Sequence, residues 1–265
     1  MADRGIFENK AKKKLKAGQL TLCMAVNQMR SAEVPMIASA CGFDAIFIDM
    51  EHSATSLETT AMLCVAALQS EVTPIVRVPS HEPFHMARVL DCGAQGVMVP
   101  HVDTAAEAEA IVQALRFPPL GHRSAFTTGP TLGYRVISQT DINAFLNEQE
   151  LVIAMLETPE AIENADAIAA VPGIDVLHIG SGDVSNLMGI PRALRDPRMQ
   201  AVFRHVAEVC KSRGKVMGVG GARGDIELQK DLYKLGARYI TSGSDVSYLM
   251  AAARADVAAM RAVAG

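Results

Sequence analysis

Short apolar runs bounded by turn residues recur along the chain, and between them lie longer stretches with apolar positions at helical spacing. The runs are "LTLCMAV" (20–26), "AIFIDME" (45–51), "TPIVRV" (73–78), "GVMVPHV" (96–102), "LVIAMLE" (151–157), "VLHIGSG" (176–182), "VMGVGG" (216–221) and "YITSGSD" (239–245). Near-continuous apolar character predicts strands buried on both faces, as in parallel sheets covered by helices. The intervening segments, such as "SLETTAMLCVAAL", "TAAEAEAIVQAL" and "DPRMQAVFRHVAEVCKSRG", predict amphipathic helices, several opening on a Ser, Thr or Asp cap. Eight strands alternating with helices predict an α/β fold, a (β/α)8 TIM barrel forming one domain over residues 1–265. A doubly wound open sheet is the competing architecture.

One connection breaks the rhythm. Residues 117–150 form a long stretch rich in Gly, Pro and Thr, ending in a short helical pattern. A loop of this length in a compact domain is usually functional. It is expected to project over the barrel, covering a substrate, or to reach a neighbouring subunit.

Composition narrows the picture. A chain of 265 residues, 49% hydrophobic and 20% charged, suits one well-cored barrel. A formal net charge of −4 leaves no electrostatic footprint for nucleic acid. The basic run "NKAKKKLKAG" (9–18) reads as the solvated face of a first helix. No apolar leader or membrane-length segment stands out, and the five cysteines are scattered without a C-x-x-C pair, which fits a cytoplasmic protein. The Ala-rich C-terminus, "YLMAAARADVAAMRAVAG", reads as a helix packed against protein.

The strand ends carry the candidate chemistry. Asp49, Glu51 and His52 close the second strand, Arg77 the third, His101 the fourth and Glu157 the fifth, while Asp183 follows the sixth. Charges are expensive to bury, and barrel active sites are built at this C-terminal rim. Glu157 and Asp183 suit a hard divalent cation such as Mg²⁺ or Mn²⁺; capping of the following turns is the alternative. Arg77, between two valines, needs an anion: a substrate carboxylate, a developing oxyanion, or a buried bridge to Glu51 or Asp49. His52 suits proton transfer near neutral pH, and His101 is expected only to line the cleft. The turn "GSGD" (180–183) frees N–H groups at Ser181, Gly182 and Asp183 for a carboxylate or phosphate. "GVGGARGD" and "SGSD" occupy the usual phosphate position of barrels. No lysine ends a strand, so a Schiff-base mechanism has no evident amine.

The motifs "FIDMEHSA", "PIVRVP", "LDCGAQGVMVPHV", "FPPLGHRS", "LETPEA" and "IGSGDVSNLMG" together resemble the metal-dependent aldolases of the 4-hydroxy-2-oxoheptanedioate aldolase (HpcH/HpaI) family. The resemblance covers nearly the whole chain. It implies an enzyme that reversibly joins pyruvate, or a 2-oxo acid such as hydroxypyruvate, to an aldehyde. It implies a hexamer whose C-terminal helix is exchanged between subunits, and a bound divalent ion (Mg²⁺, Mn²⁺ or Co²⁺). Carried onto this sequence, Glu157 and Asp183 become the metal ligands, His52 the base and Arg77 the group that holds the keto oxygen. Asp91 matches a carboxylate that raises the histidine's basicity. Its place before the fourth strand, away from the rim, favours action across a subunit contact, with Asp49 the rival within the chain. This sequence departs from the family at Met155, where Gln is frequent, at Ser181-Gly182 in a Gly-Pro-x-Asp turn, and at His101. Two other readings stay open: a phosphate-handling barrel isomerase or lyase, and a non-enzymatic organic-acid-binding barrel.

Overall fold

The eight apolar runs form eight parallel strands closed into one barrel, each paired with its neighbours in chain order. They are β1 (Thr21–Val26), β2 (Ala45–Asp49), β3 (Thr73–Arg77), β4 (Gly96–Val99), β5 (Leu151–Leu156), β6 (Val176–Gly180), β7 (Val216–Gly220) and β8 (Ala237–Ser244). This is the TIM-barrel architecture, and the open sheet is ruled out by the β1–β8 pairing that closes the ring. The structure, a computed structural model, describes residues 6–264. Met1–Gly5 and Gly265, which the expected domain included, lie outside the described residues.

Strand periodicity decides what reaches the site. Alternate side chains along a strand face opposite ways, so Ile46 and Ile48 pack outward against the helices while Ala45 and Phe47 enter the barrel interior. Asp49 continues that inward row. By the same parity Arg77 follows Ile75 inward, and Glu157 follows Ile153 and Met155. The interior is closed below the rim by Phe47, Ile75, Met98, Met155 and Tyr239, so the charged ends stand on a packed floor.

The base corrects two expectations. The basic helix Lys10–Lys16 is not simply a solvated face: Ala11 and Leu15 plug the barrel bottom, and Lys12 is buried. Lys12 Nζ donates to the Glu150 carbonyl at 2.6 Å and pairs with Asp175 at 3.0 Å. The long connection does not cover the rim either. It runs under the opposite end, where Thr131 accepts a hydrogen bond from the Phe7 backbone and Phe117, Leu132, Ile142 and Leu146 form a small core. Buried Arg123 ties it down through Glu150 and Asp91.

The C-terminal helix, Asp245–Ala264, is anchored at its start. Asp245 Oδ2 accepts the backbone N–H groups of Asn27, Gln28 and Met29 after β1. Beyond that turn it does not pack on its own barrel, and Leu249, Met250, Val257, Met260 and Val263 stand exposed.

Candidate active site

At the rim, Asp49 and Arg77 form a buried two-pronged pair. Arg77 Nε donates to Asp49 Oδ1 at 3.0 Å and Nη2 to Oδ2 at 2.8 Å. Asp49 also accepts from Asn27 Nδ2 at 2.8 Å and from the backbone N–H groups of Glu51 and His52. Burial penalises the Asp49 charge most, but the Arg77 contacts and the backbone donors outweigh it and hold the carboxyl below the usual carboxylate range. Burial likewise opposes the Arg77 charge, and Asp49, Glu51 and Glu157 overcome it.

Arg77 Nη1 lies 3.0 Å from Glu51 Oε2, an ion pair without the alignment of a hydrogen bond. The buried bridges named as the alternative partners of Arg77 are therefore both present. They do not exhaust the group, because a guanidinium has five N–H donors and Asp49 takes only two. Met155 Sδ, where the family often has Gln, lies 3.9 Å from Nη1. Nη1 thus has an ion pair and a soft acceptor but no aligned hydrogen bond to an oxygen.

Glu157 is buried just beyond β5. Its Oε2 accepts the backbone N–H of His101 at 2.9 Å, and its Oε1 is buried without a partner. Desolvation pushes the Glu157 carboxyl above the usual range. Gly180 makes the space, since a Cβ there would sit 2.6 Å from Glu157 Cγ. Capping does not explain either member of the acid pair. Thr158, not Glu157, caps the helix Pro159–Glu163, and Asp183 lies inside the first turn of the helix Ser181–Leu187, beyond its Gly180 cap. That first turn leaves the N–H groups of Ser181, Gly182 and Asp183 without helical partners, with Ser181 Oγ buried and unpaired beside them.

The partnerless buried oxygen of Glu157, with the exposed Asp183 carboxylate three residues beyond Gly180, offers the hard oxygen donors a divalent cation takes. Among the described residues no three His, Cys, Asp or Glu side chains form a ready metal cluster.

His52 stands exposed on the β2–α turn, its Nε2 3.8 Å from Glu51 Oε2. Asp49 meets it through the backbone N–H, not the ring. Asp91 is distant: it ends the helix Pro83–Asp91 at the barrel base and pairs with Arg123 Nη2 at 2.7 Å. His101 is more than a cleft wall. Held at φ +50°, it lies 3.3 Å from Glu51 through Nε2 and 3.5 Å from Glu157 through Nδ1, bridging the two acids. The signal was its place at a strand end beside Pro100.

A family model described as HpcH/HpaI aldolase/citrate lyase matches residues 26–252. The chain belongs to this family. It is 38% identical over 246 residues to a 4-hydroxy-4-methyl-2-oxoglutarate aldolase of Hapsidospora irregularis, covering 92% of this chain and 91% of the relative. A hydroxypyruvate/pyruvate aldolase of Chromohalobacter salexigens is 34% identical over 218 residues, covering 82% and 84%. The crystal structure of the HpcH/HpaI aldolase from Desulfitobacterium hafniense superposes with a TM-score of 0.89 at 26% identity, covering 94% of this chain and 96% of that one. Membership of the HpcH/HpaI family makes the protein a carbon–carbon lyase of the aldolase kind, which displaces the isomerase and binding-barrel readings. No helix among the described residues is long and apolar enough to cross a membrane.

Proposed function

We propose that the protein reversibly joins pyruvate, or a related 2-oxo acid such as hydroxypyruvate, to an aldehyde, giving a 4-hydroxy-2-oxo acid. The observation that carries this reading is the partnerless Oε1 of Glu157 beside the incompletely used Arg77. The names of the relatives, 4-hydroxy-4-methyl-2-oxoglutarate aldolase and hydroxypyruvate/pyruvate aldolase, support a 2-oxo acid donor.

Glu157 and Asp183 would hold a divalent ion (Mg²⁺, Mn²⁺ or Co²⁺), which would supply Lewis-acid polarisation of the donor's keto group. The free N–H groups of Ser181, Gly182 and Asp183 orient the donor carboxylate. Arg77 directs its remaining N–H groups at the keto oxygen, and a donor aimed where charge develops is worth about 3 kcal/mol. His52, exposed at the rim, takes a proton from the donor methyl carbon. That carbon then bonds to the aldehyde carbon, and the aldehyde oxygen takes up a proton. Cleavage runs the same steps backwards.

Assembly belongs to the same proposal. The exposed apolar side chains of Asp245–Ala264 support a homo-oligomer, a hexamer with this helix exchanged, because contiguous exposed apolar surface marks an interaction site. Asp91 would then act on a neighbouring subunit's histidine. Five free cysteines, three of them buried, support a cytoplasmic setting.

The test is a screen of pyruvate and hydroxypyruvate against a panel of aldehydes, with and without Mg²⁺, Mn²⁺ and Co²⁺. Condensation should require the ion, and Glu157→Gln or Asp183→Asn should abolish ion binding in a calorimeter while leaving the fold intact. Full activity in excess EDTA would overturn the metal assignment.

A further inference from the structure

Next to Asp183 the structure holds a cavity of about 580 Å³ between the turns that follow β6 and β7. Its walls include Gly182, Arg192, Arg195, Gly221, Arg223 and Asp225. Three guanidinium groups around one cavity are unusual in a chain of net charge −4, and the single carboxylate among them is already used. Asp225 accepts from Arg195 Nε and Nη2, both at 2.7 Å, and from the Leu228 backbone at 2.9 Å. Arg192 and Arg223 meet no carboxylate among the described residues. Arg223 donates to the Ser247 carbonyl at 2.6 Å and stacks on Tyr248, 5.0 Å from the ring centre. Those contacts position the cation without neutralising it.

The wall shared with the catalytic rim is bare backbone. Gly182 precedes Asp183 directly, and a Cβ on it would meet nothing within 4 Å. Gly221, at φ +86°, faces Ser181: a Cβ there would lie 3.5 Å from the Ser181 Cβ and 3.7 Å from the Gly182 nitrogen. A ligand chain can therefore pass from the acid pair into the cavity without meeting a side chain at either glycine.

We infer that this cavity is the subsite for an anionic far end of the acceptor aldehyde, held by Arg192 and Arg223 while its carbonyl group meets the donor at the rim. A planar fork without a protein carboxylate suits a carboxylate or phosphate, and the "GVGGARGD" turn that carries Arg223 thereby gains a role. The inference rests on the aldolase reading.

The test compares acceptors of equal chain length, succinic semialdehyde and butanal, with glyceraldehyde 3-phosphate as the phosphate arm, on the metal-loaded full chain. Arg192→Gln is the cleaner variant, because Arg223 also braces Ser247. In Arg192→Gln, and more so with Arg223→Gln added, the preference for the charged over the neutral acceptor in kcat/KM should fall about 10–100-fold, mostly through KM. A larger loss on the phosphate arm would assign phosphate, and a larger loss on succinic semialdehyde would assign carboxylate. An unchanged preference, or equal losses on all three acceptors, would overturn the subsite. Exchange of pyruvate methyl protons without acceptor reports the aldolase reading separately. Should the parent show neither exchange nor condensation, that reading fails, and calorimetry with succinate and inorganic phosphate decides the cavity. Tighter binding by the parent than by the double variant would uphold an anion site, and equal affinity would dismiss it.

Discussion

Asp49 grips Arg77 with both carboxylate oxygens, at 3.0 and 2.8 Å, and the same carboxylate accepts the backbone N–H of His52 at 3.2 Å. One buried acid thus fixes the cation proposed to hold the keto oxygen and the turn that carries the proposed base. Its inward position follows from strand parity, two residues beyond Phe47.

Asp49→Asn should therefore damage stability and catalysis together. Breaking a buried pair costs about 3–5 kcal/mol, and Glu51, still 3.0 Å from Arg77, places the expected loss near the lower figure. Urea unfolding measures it. The folded carboxyl lies below its unfolded value, so its contribution is present above the unfolded pKa and is lost as pH falls through the folded one. The parent and Asp49→Asn should accordingly converge in stability at strongly acid pH. A gap that persists unchanged there would show that the ionised carboxylate is not what stabilises the rim.

His52→Ala should slow exchange of pyruvate methyl protons with deuterated solvent roughly 10²–10⁴-fold, the usual weight of a positioned base. Metal affinity should barely move, because the imidazole is not a proposed ligand. Arg77→Ala should slow exchange and also weaken oxo-acid binding. Replacing Asp91 should move the acid limb of the pH–rate profile downward only through a neighbouring subunit, since within the chain Asp91 is held by Arg123. Exchange in His52→Ala at the parent rate would make the histidine structural.

Removal of residues from Tyr248 onward should break a hexamer into smaller, less stable species. Tyr248 itself packs on Phe43 and Arg223, but the apolar side chains beyond it stand exposed, so most of the lost stability should come from lost assembly. Light scattering of the intact protein at monomer mass would count against the exchanged helix and the intersubunit role of Asp91 alike.

The barrel was legible because each strand is buried on both faces, so its apolar run is unbroken and its end is marked by the first charge. Asp49, Arg77 and Glu157 were readable on that ground. Lys12 was not: its partners are the Glu150 carbonyl and Asp175, at the starts of two distant strands, and nothing local distinguishes it from the exposed Lys13. The long connection was misplaced over the rim because its composition resembles a lid, whereas its position between a helix and the following strand places it at the base. The bridging role of His101 depends on a positive φ, which no apolar pattern records.

The last prediction concerns a buried group that the chemistry does not use. His178 enters the barrel interior from β6, edge-on to Tyr239 with ring centres 5.5 Å apart, and Gly218 and Gly220 leave room for its ring. Its Nδ1 is buried without a partner. Burial first, and then the charge of Arg77, depress its pKa from 6.5 to about 3, so the folded protein keeps it neutral. The unfolded chain binds a proton at this histidine between those values and the folded one does not, so stability must fall as pH drops through that window. The slope is at most about 1.4 kcal/mol per pH unit for one proton. His178→Phe removes the titration while filling a similar space. Urea midpoints measured at pH 7.5 and pH 4.5 should show a smaller acid loss in the variant than in the parent, whatever its absolute stability. Equal losses would mean that His178 is already protonated in the folded barrel, with an acceptor at Nδ1.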